Sequence, residues 1–84
     1  MVKILYFASL AETLGIRSEQ LDLPTDCDSV ADLVALLRAR GEPFDSTFDG
    51  KTRVLIAINQ QMRDTDVPIC GNDEIAFFPP VTGG

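Results

Sequence analysis

The sequence predicts an α+β fold, a small mixed sheet covered on one face by one main helix. Three observations predict it. Residues 2–8 and 74–79 are short apolar runs rich in aromatic and β-branched side chains, the pattern of interior strands. Between them, residues 29–41 carry the one sustained helical period in the chain. And 84 residues bury only roughly two-thirds of the surface of the unfolded chain, which leaves room for a single simple core.

Taken in order, "VKILYFA" (2–8) is the first strand. "SLAETLG" is a short helix or turn that Gly15 closes. "IRSEQLDL" (16–23) alternates as a second strand and stops at Pro24. In "SVADLVALLRARG", Ser29 suits the N-cap, and Asp32, three residues on, can complete a capping box. Val30, Leu33, Val34 and Leu37 fall on one stripe, and Arg38, Arg40 and Gly41 suit the helix end. "EPFDSTFDGKT" reads as loop with a turn at Asp49-Gly50. "RVLIAIN" (53–59) is a third strand, and "QQMRDTDVPICGNDE" holds turns and one further short strand. "EIAFFP" (74–79) is the last strand, ended by Pro79. This order is that of a β-grasp, or ubiquitin-like, roll with its first and last strands as parallel central neighbours. Residues 1–80 are expected to form the domain and 81–84 a flexible Gly-Gly tail.

Seven Lys and Arg against 13 Asp and Glu leave a net charge of −6. Phosphate backbones repel such a surface, so no nucleic acid is expected, whereas a basic protein partner would be attracted. The same acidity also serves solubility. With no His in the chain, a Ser-His-Asp or Cys-His site cannot form within it. No metal is expected either, because Cys27 and Cys70 lack CxxC or Cys/His spacing. A persulfide on either thiol would need an electropositive setting, whereas Cys27 lies between Asp26 and Asp28. No apolar stretch reaches the about 18 residues of a membrane span, and no charged leader precedes one; the cytoplasm is the expected location.

Strand side chains alternate between faces. Lys3, Glu74 and Arg53 belong in water, so their strands carry Leu5, Phe7, Leu55, Ala57, Ala76 and Phe78 on the face away from the helix. Val2, Ile4, Tyr6, Ile75 and Phe77 then enter the core. Leu5, Phe7, Leu55 and Phe78 form an apolar patch of the kind a monomer seldom leaves wet, and are candidates for a partner interface unless a strand end or loop covers them.

The sequence ends "FFPPVTGG". Pro79 and Pro80 have fixed φ and no N–H, so they peel the chain off the sheet in extended form. Val81, Thr82, Gly83 and Gly84 then reach roughly 13 Å, and glycines pass where no side chain fits. The tail presents one reactive group, the Gly84 α-carboxylate, which must be activated, for example as an acyl-adenylate, before it transfers anything.

"GNDEIAFFPPVTGG", "MVKILYFASLAETLG" and "VLIAINQ" resemble the small, sulfur-carrier subunits of molybdopterin synthase over essentially the whole chain. The most specific part is FFPPVTGG. "CGND" departs from the family's usual Asp-Gly-Asp turn there. The resemblance supports the β-grasp topology and implies a function. An adenylating enzyme would use ATP to activate Gly84, and a sulfur-donating enzyme would supply sulfur to make its thiocarboxylate. The tail, Pro79 to Gly83, would thread Gly84 into the large subunit of the synthase. There sulfur would pass to a cyclic pyranopterin phosphate, in an assembly of two small and two large subunits. The chain would bind no cofactor, and the large subunit would supply the catalytic side chains. Alternatives are a sulfur carrier of another pathway such as that of thiamine, a ubiquitin-like modifier joined to lysines, and a passive module whose Pro-Pro tail docks in an aromatic groove.

Overall fold

The computed structural model describes residues 1–51, 53–64 and 66–80. Five strands form one sheet: β1 (Val2–Tyr6), β2 (Ser18–Leu21), β3 (Leu55–Ile58), β4 (Gln61–Arg63) and β5 (Glu74–Phe78), in the order β2-β1-β5-β3-β4. β1 and β5 are parallel, with Ile4 opposite Ile75 and Tyr6 opposite Phe77. β2 runs antiparallel to β1, and β3 antiparallel to both β4 and β5. This is the expected roll, with the first and last strands at its centre.

The helices are α1 (Ala8–Leu14), α2 (Val30–Arg38) and α3 (Phe44–Thr47). α1 ends at Gly15, whose φ of 79° is the left-handed conformation a glycine takes at no steric cost. α2 starts as its sequence demands: the Ser29 side chain accepts the Asp32 N–H, and Asp32 reaches back to the N–H of Asp28. The reciprocal cap is thus displaced by one residue towards the preceding loop. Val30, Leu33 and Leu37 are fully buried and Val34 flanks them. At the other end the last turn tightens, with Arg40 N–H donating to Leu37 and Gly41 N–H to Arg38. The helix therefore stops at Arg38 with Ala39 as its C-cap, and Gly41, expected at C′, lies one position further on with φ 90°.

One element differs in kind. The segment read as loop, "EPFDSTFDGKT", contains α3. Asp, Ser and Thr are poor helix formers, so no period announces this single turn. Local bonds hold it instead: Glu42 accepts the Ser46 N–H, and the Thr47 hydroxyl donates to the Pro43 carbonyl at 2.7 Å. Phe44 sets its ring edge-on to Tyr6, and Phe48 packs edge-on to Phe77. α3 thus closes the end of the core that α2 leaves open.

The strands are shorter than their apolar runs. β1 stops at Tyr6 because Ala8, with φ 52°, turns the chain into α1. β3 and β4 join through Asn59 and Gln60, both at positive φ, the two-residue turn whose twist matches a hairpin. Every inward position expected from parity is buried: Val2, Ile4, Tyr6, Ile75 and Phe77, with Ile56 and Ile58 beside them.

Candidate functional site

The face of the sheet turned away from α2 carries a continuous apolar band. Residues opposite one another in register share a face, and the register runs Leu5, Ala76, Ala57, Met62 across four strands. A second row lies one step nearer the end of β5, where Leu55 pairs with Phe78. Phe7 joins this row although β1 has ended, because its N–H still donates to the Phe77 carbonyl at 3.1 Å. Its ring stands 5.3 Å from that of Phe78. Ala57 and Ala76 are small and covered by their neighbours, while Phe7 is 44% and Met62 57% exposed. Leu5, Leu55 and Phe78 are half-buried. The structure therefore brings together the four residues singled out by parity.

Met62 belongs to the same band and was not among them. The residues after Ile58 lack a strand period long enough to assign a face. Two positive-φ residues at Asn59-Gln60 were the signal, since a two-residue hairpin fixes the register of whatever follows.

β5 leads directly to the tail. Its central place, hydrogen-bonded on both sides, fixes Phe78 rigidly, and Pro79 and Pro80 follow as half-buried, non-ladder residues. Val81, Thr82, Gly83 and Gly84, the residues expected to thread and to carry the chemistry, lie outside the described residues.

On the helix side, Tyr6 donates to Glu19 at 2.8 Å, and Arg40 grips the same carboxylate through two N–H groups at 2.7 and 2.9 Å. The guanidinium also lies 4.9 Å over the Phe44 ring, a cation–π contact. The Arg40 hydrogen bonds hold Glu19 below the usual carboxylate range, against the opposing effect of burial. Burial, then the Glu19 carboxylate, pushes the Tyr6 hydroxyl well above its ordinary value. This cluster ties β1, β2, the end of α2 and α3 together. It lies on the other side of the sheet from the apolar band and joins elements through hydrogen bonds, so its role is structural.

Cys27 is buried, and burial followed by Asp32, Asp26 and Asp28 pushes its thiol up. Cys70 is exposed, and its backbone N–H and thiol both face the Asp73 carboxylate. The charged groups that face these thiols are carboxylates, which disfavour a thiolate. Among the described residues no group of three or more His, Cys, Asp or Glu is placed to hold a metal, and no helix is long and apolar enough to cross a membrane.

Comparison with known proteins agrees with this geometry. The chain matches the ThiS family over residues 4–84. It is 40% identical to the molybdopterin synthase sulfur carrier subunit of Dictyostelium discoideum, over 98% of this chain and 94% of that one. It is 36% identical to the subunit of the same name from Escherichia coli, over the full length of both. Among solved structures, the small archaeal modifier protein 1 of Haloferax volcanii superposes with a TM-score of 0.77 at 27% identity, covering 95% of this chain and 97% of that one. With the β-grasp sheet, the apolar face and the alignment through both terminal glycines in agreement, the chain belongs to the ThiS family, within its branch of molybdopterin synthase sulfur carrier subunits.

Proposed function

We propose that this protein carries sulfur on Gly84 as the small subunit of a molybdopterin synthase. The observation that carries the reading is the placement of one strand. β5 is held in the centre of the sheet, borders the apolar band through Phe78, and continues through Pro79-Pro80 into Val-Thr-Gly-Gly. A partner that covers Phe7, Leu55 and Phe78 thereby lies beside Pro79 and Pro80, from which the remaining four residues follow.

The chemistry follows from what a carboxylate needs. An oxygen of the Gly84 carboxylate attacks the α-phosphate of ATP on an adenylating enzyme, and pyrophosphate leaves. Hydrosulfide supplied by a donor enzyme then attacks the acyl carbon, AMP leaves with the electron pair of the broken C–O bond, and the S–H proton is lost. The resulting thiocarboxylate enters the large subunit, where its sulfur bonds to a carbon of the pyranopterin phosphate as a C–O bond at that carbon breaks and the oxygen leaves with its electron pair; water then cleaves the acyl–sulfur bond, restores the carboxylate and leaves the sulfur on the substrate. The small chain supplies the carried atom and its delivery. The large subunit supplies acid, base and substrate pocket, in an assembly of two small and two large subunits. No cofactor resides on the small chain.

Intact mass spectrometry tests this reading on protein from a host without the large subunit. The mass gain of one oxygen replaced by sulfur is expected to accumulate. The structural likeness to an archaeal modifier protein supports a second reading, in which an amine takes the activated glycine. A branched isopeptide to lysine, with no thiocarboxylate, would establish that reading instead.

A further inference from the structure

We propose that Arg53 is a positioning residue that locks the carrier's tail into register by pairing with a carboxylate on the rim of the large subunit's tail channel; this rests on the function proposed above. The argument begins with sheet register. Leu55 lies opposite Phe78 in an antiparallel pair at the start of β3 and the end of β5, so Arg53, two residues before Leu55, lies at the end of the sheet where β5 stops. Arg53 is exposed and lines a groove with Leu55, Met62 and Asp64, at the margin of the apolar band.

Its charge is free for a partner. Arg38 and Arg40 are both held by carboxylates, Asp45 and Glu19. Arg53 makes no ion pair with any described residue, including Asp64 in the same groove. A surface that seals Leu55 and Phe78 from water also encloses the neighbouring guanidinium. An enclosed cation without a counter-charge is costly, so the covering surface must bring an anionic group.

Reach identifies that group. The four residues after Pro80 extend roughly 13 Å, and an arginine side chain spans about half that length. Arg53 therefore cannot touch the reacting carbon or the substrate's phosphate when the tail is extended. What lies within its reach is the mouth of the channel, and the anion there is a protein carboxylate, which a guanidinium grips with two parallel hydrogen bonds. Such a grip beside the end of β5 fixes how far the tail enters. Phe7 and Phe78, being apolar, resist sliding much less.

The test uses the full thiocarboxylated chain and purified large subunit, with Arg53→Glu, Arg53→Ala and Arg53→Lys. Arg53→Glu is expected to weaken assembly at least about tenfold, Arg53→Ala less, and Arg53→Lys to recover most of the affinity. The salt dependence of assembly should flatten in Arg53→Ala. Single-turnover sulfur transfer at saturating large subunit should stay within about threefold of the wild type in Arg53→Lys, and thermal unfolding should not move in any variant. Equal assembly by wild type and Arg53→Glu would overturn the role of Arg53 while leaving the proposed function standing. Failure of the wild type itself to assemble would overturn both.

Discussion

Phe7 and Phe78 meet ring to ring on a face that nothing within the described chain covers, yet they differ in attachment. Phe78 lies in the ladder of β5, half-buried, whereas Phe7 projects from the step between β1 and α1. Phe7→Asp is accordingly expected to leave thermal stability nearly unchanged, and Phe78→Asp to cost about 1 kcal/mol from the unfavourable strand position. Both should weaken assembly with the large subunit at least about tenfold, because a charge is then buried against an apolar surface. Undiminished complex by chromatography of both variants would remove this face from the interface. The two cysteines are distinguished the same way. Iodoacetamide is expected to label Cys70 at least about tenfold faster than Cys27, whose thiol is buried and held protonated by three nearby carboxylates. Replacing both with serine should leave sulfur transfer from Gly84 intact, and loss of transfer in the folded double variant would place the sulfur on a thiol.

Among the elements, the β3–β4 hairpin offers the sharpest expectation. Gln60 holds φ at 71°, a conformation that costs a residue with a Cβ and costs glycine little. Gln60→Gly is expected to raise stability by about 0.5–1 kcal/mol in urea unfolding; a loss of that size would mean the turn relaxes to another type. The same hairpin shows what a sequence can and cannot convey. Parity needs only a short run and one charged residue for orientation, so Lys3, Glu74 and Arg53 sufficed to assign both faces of β1, β5 and β3. α2 was legible because Ser29, Asp32 and a stripe of valines and leucines agree. α3 was not, because its support comes from Glu42, from the Pro43 carbonyl and from the distant ring of Tyr6, none of which is a local period. Met62 was missed for a related reason: its face depends on the turn before it. The Tyr6–Glu19–Arg40 cluster joins residues 13 and 21 positions apart, and spacing of that kind leaves no mark on the sequence. The tail, whose expected role resides in covalent order and a reactive terminus, lies outside the described residues.

For the molecule as a whole, the core is a stack of aromatic and aliphatic layers centred on Phe77, fully buried between Tyr6 at 6.0 Å and Phe48 at 5.0 Å. Phe77→Ala is expected to cost about 3–5 kcal/mol, much of the stability of a domain this small, and a native-like melting curve for that variant would contradict the assignment. The pH dependence follows from the polar cluster. The folded-state pKa of Glu19 is depressed, so its contribution is fully present above the unfolded value of about 4.3 and is lost as pH falls through the lower folded value. The folded-state pKa of Tyr6 is raised, so its contribution is present below about pH 10 and is lost as pH rises beyond it. Unfolding free energies measured across pH should therefore fall on both limbs. Glu19→Gln is expected to flatten the acid limb and Tyr6→Phe the alkaline one; unaltered limbs would show the cluster is not what titrates.

The parallel pairing of β1 with β5 joins residues 3–6 to residues 74–77, and this has a bearing on biosynthesis. While the ribosome still shelters β5, β1 has its β2 neighbour but no partner on its other side, and Phe77 is missing from the layer between Tyr6 and Phe48. Strand pairing so distant in sequence is slow to form, and here it cannot begin until β5 has been made. A chain without β5 thus lacks the apolar face, because Ala76 and Phe78 supply its middle. A partner that recognises the assembled face would therefore meet only chains in which β5 has already paired with β1 and β3.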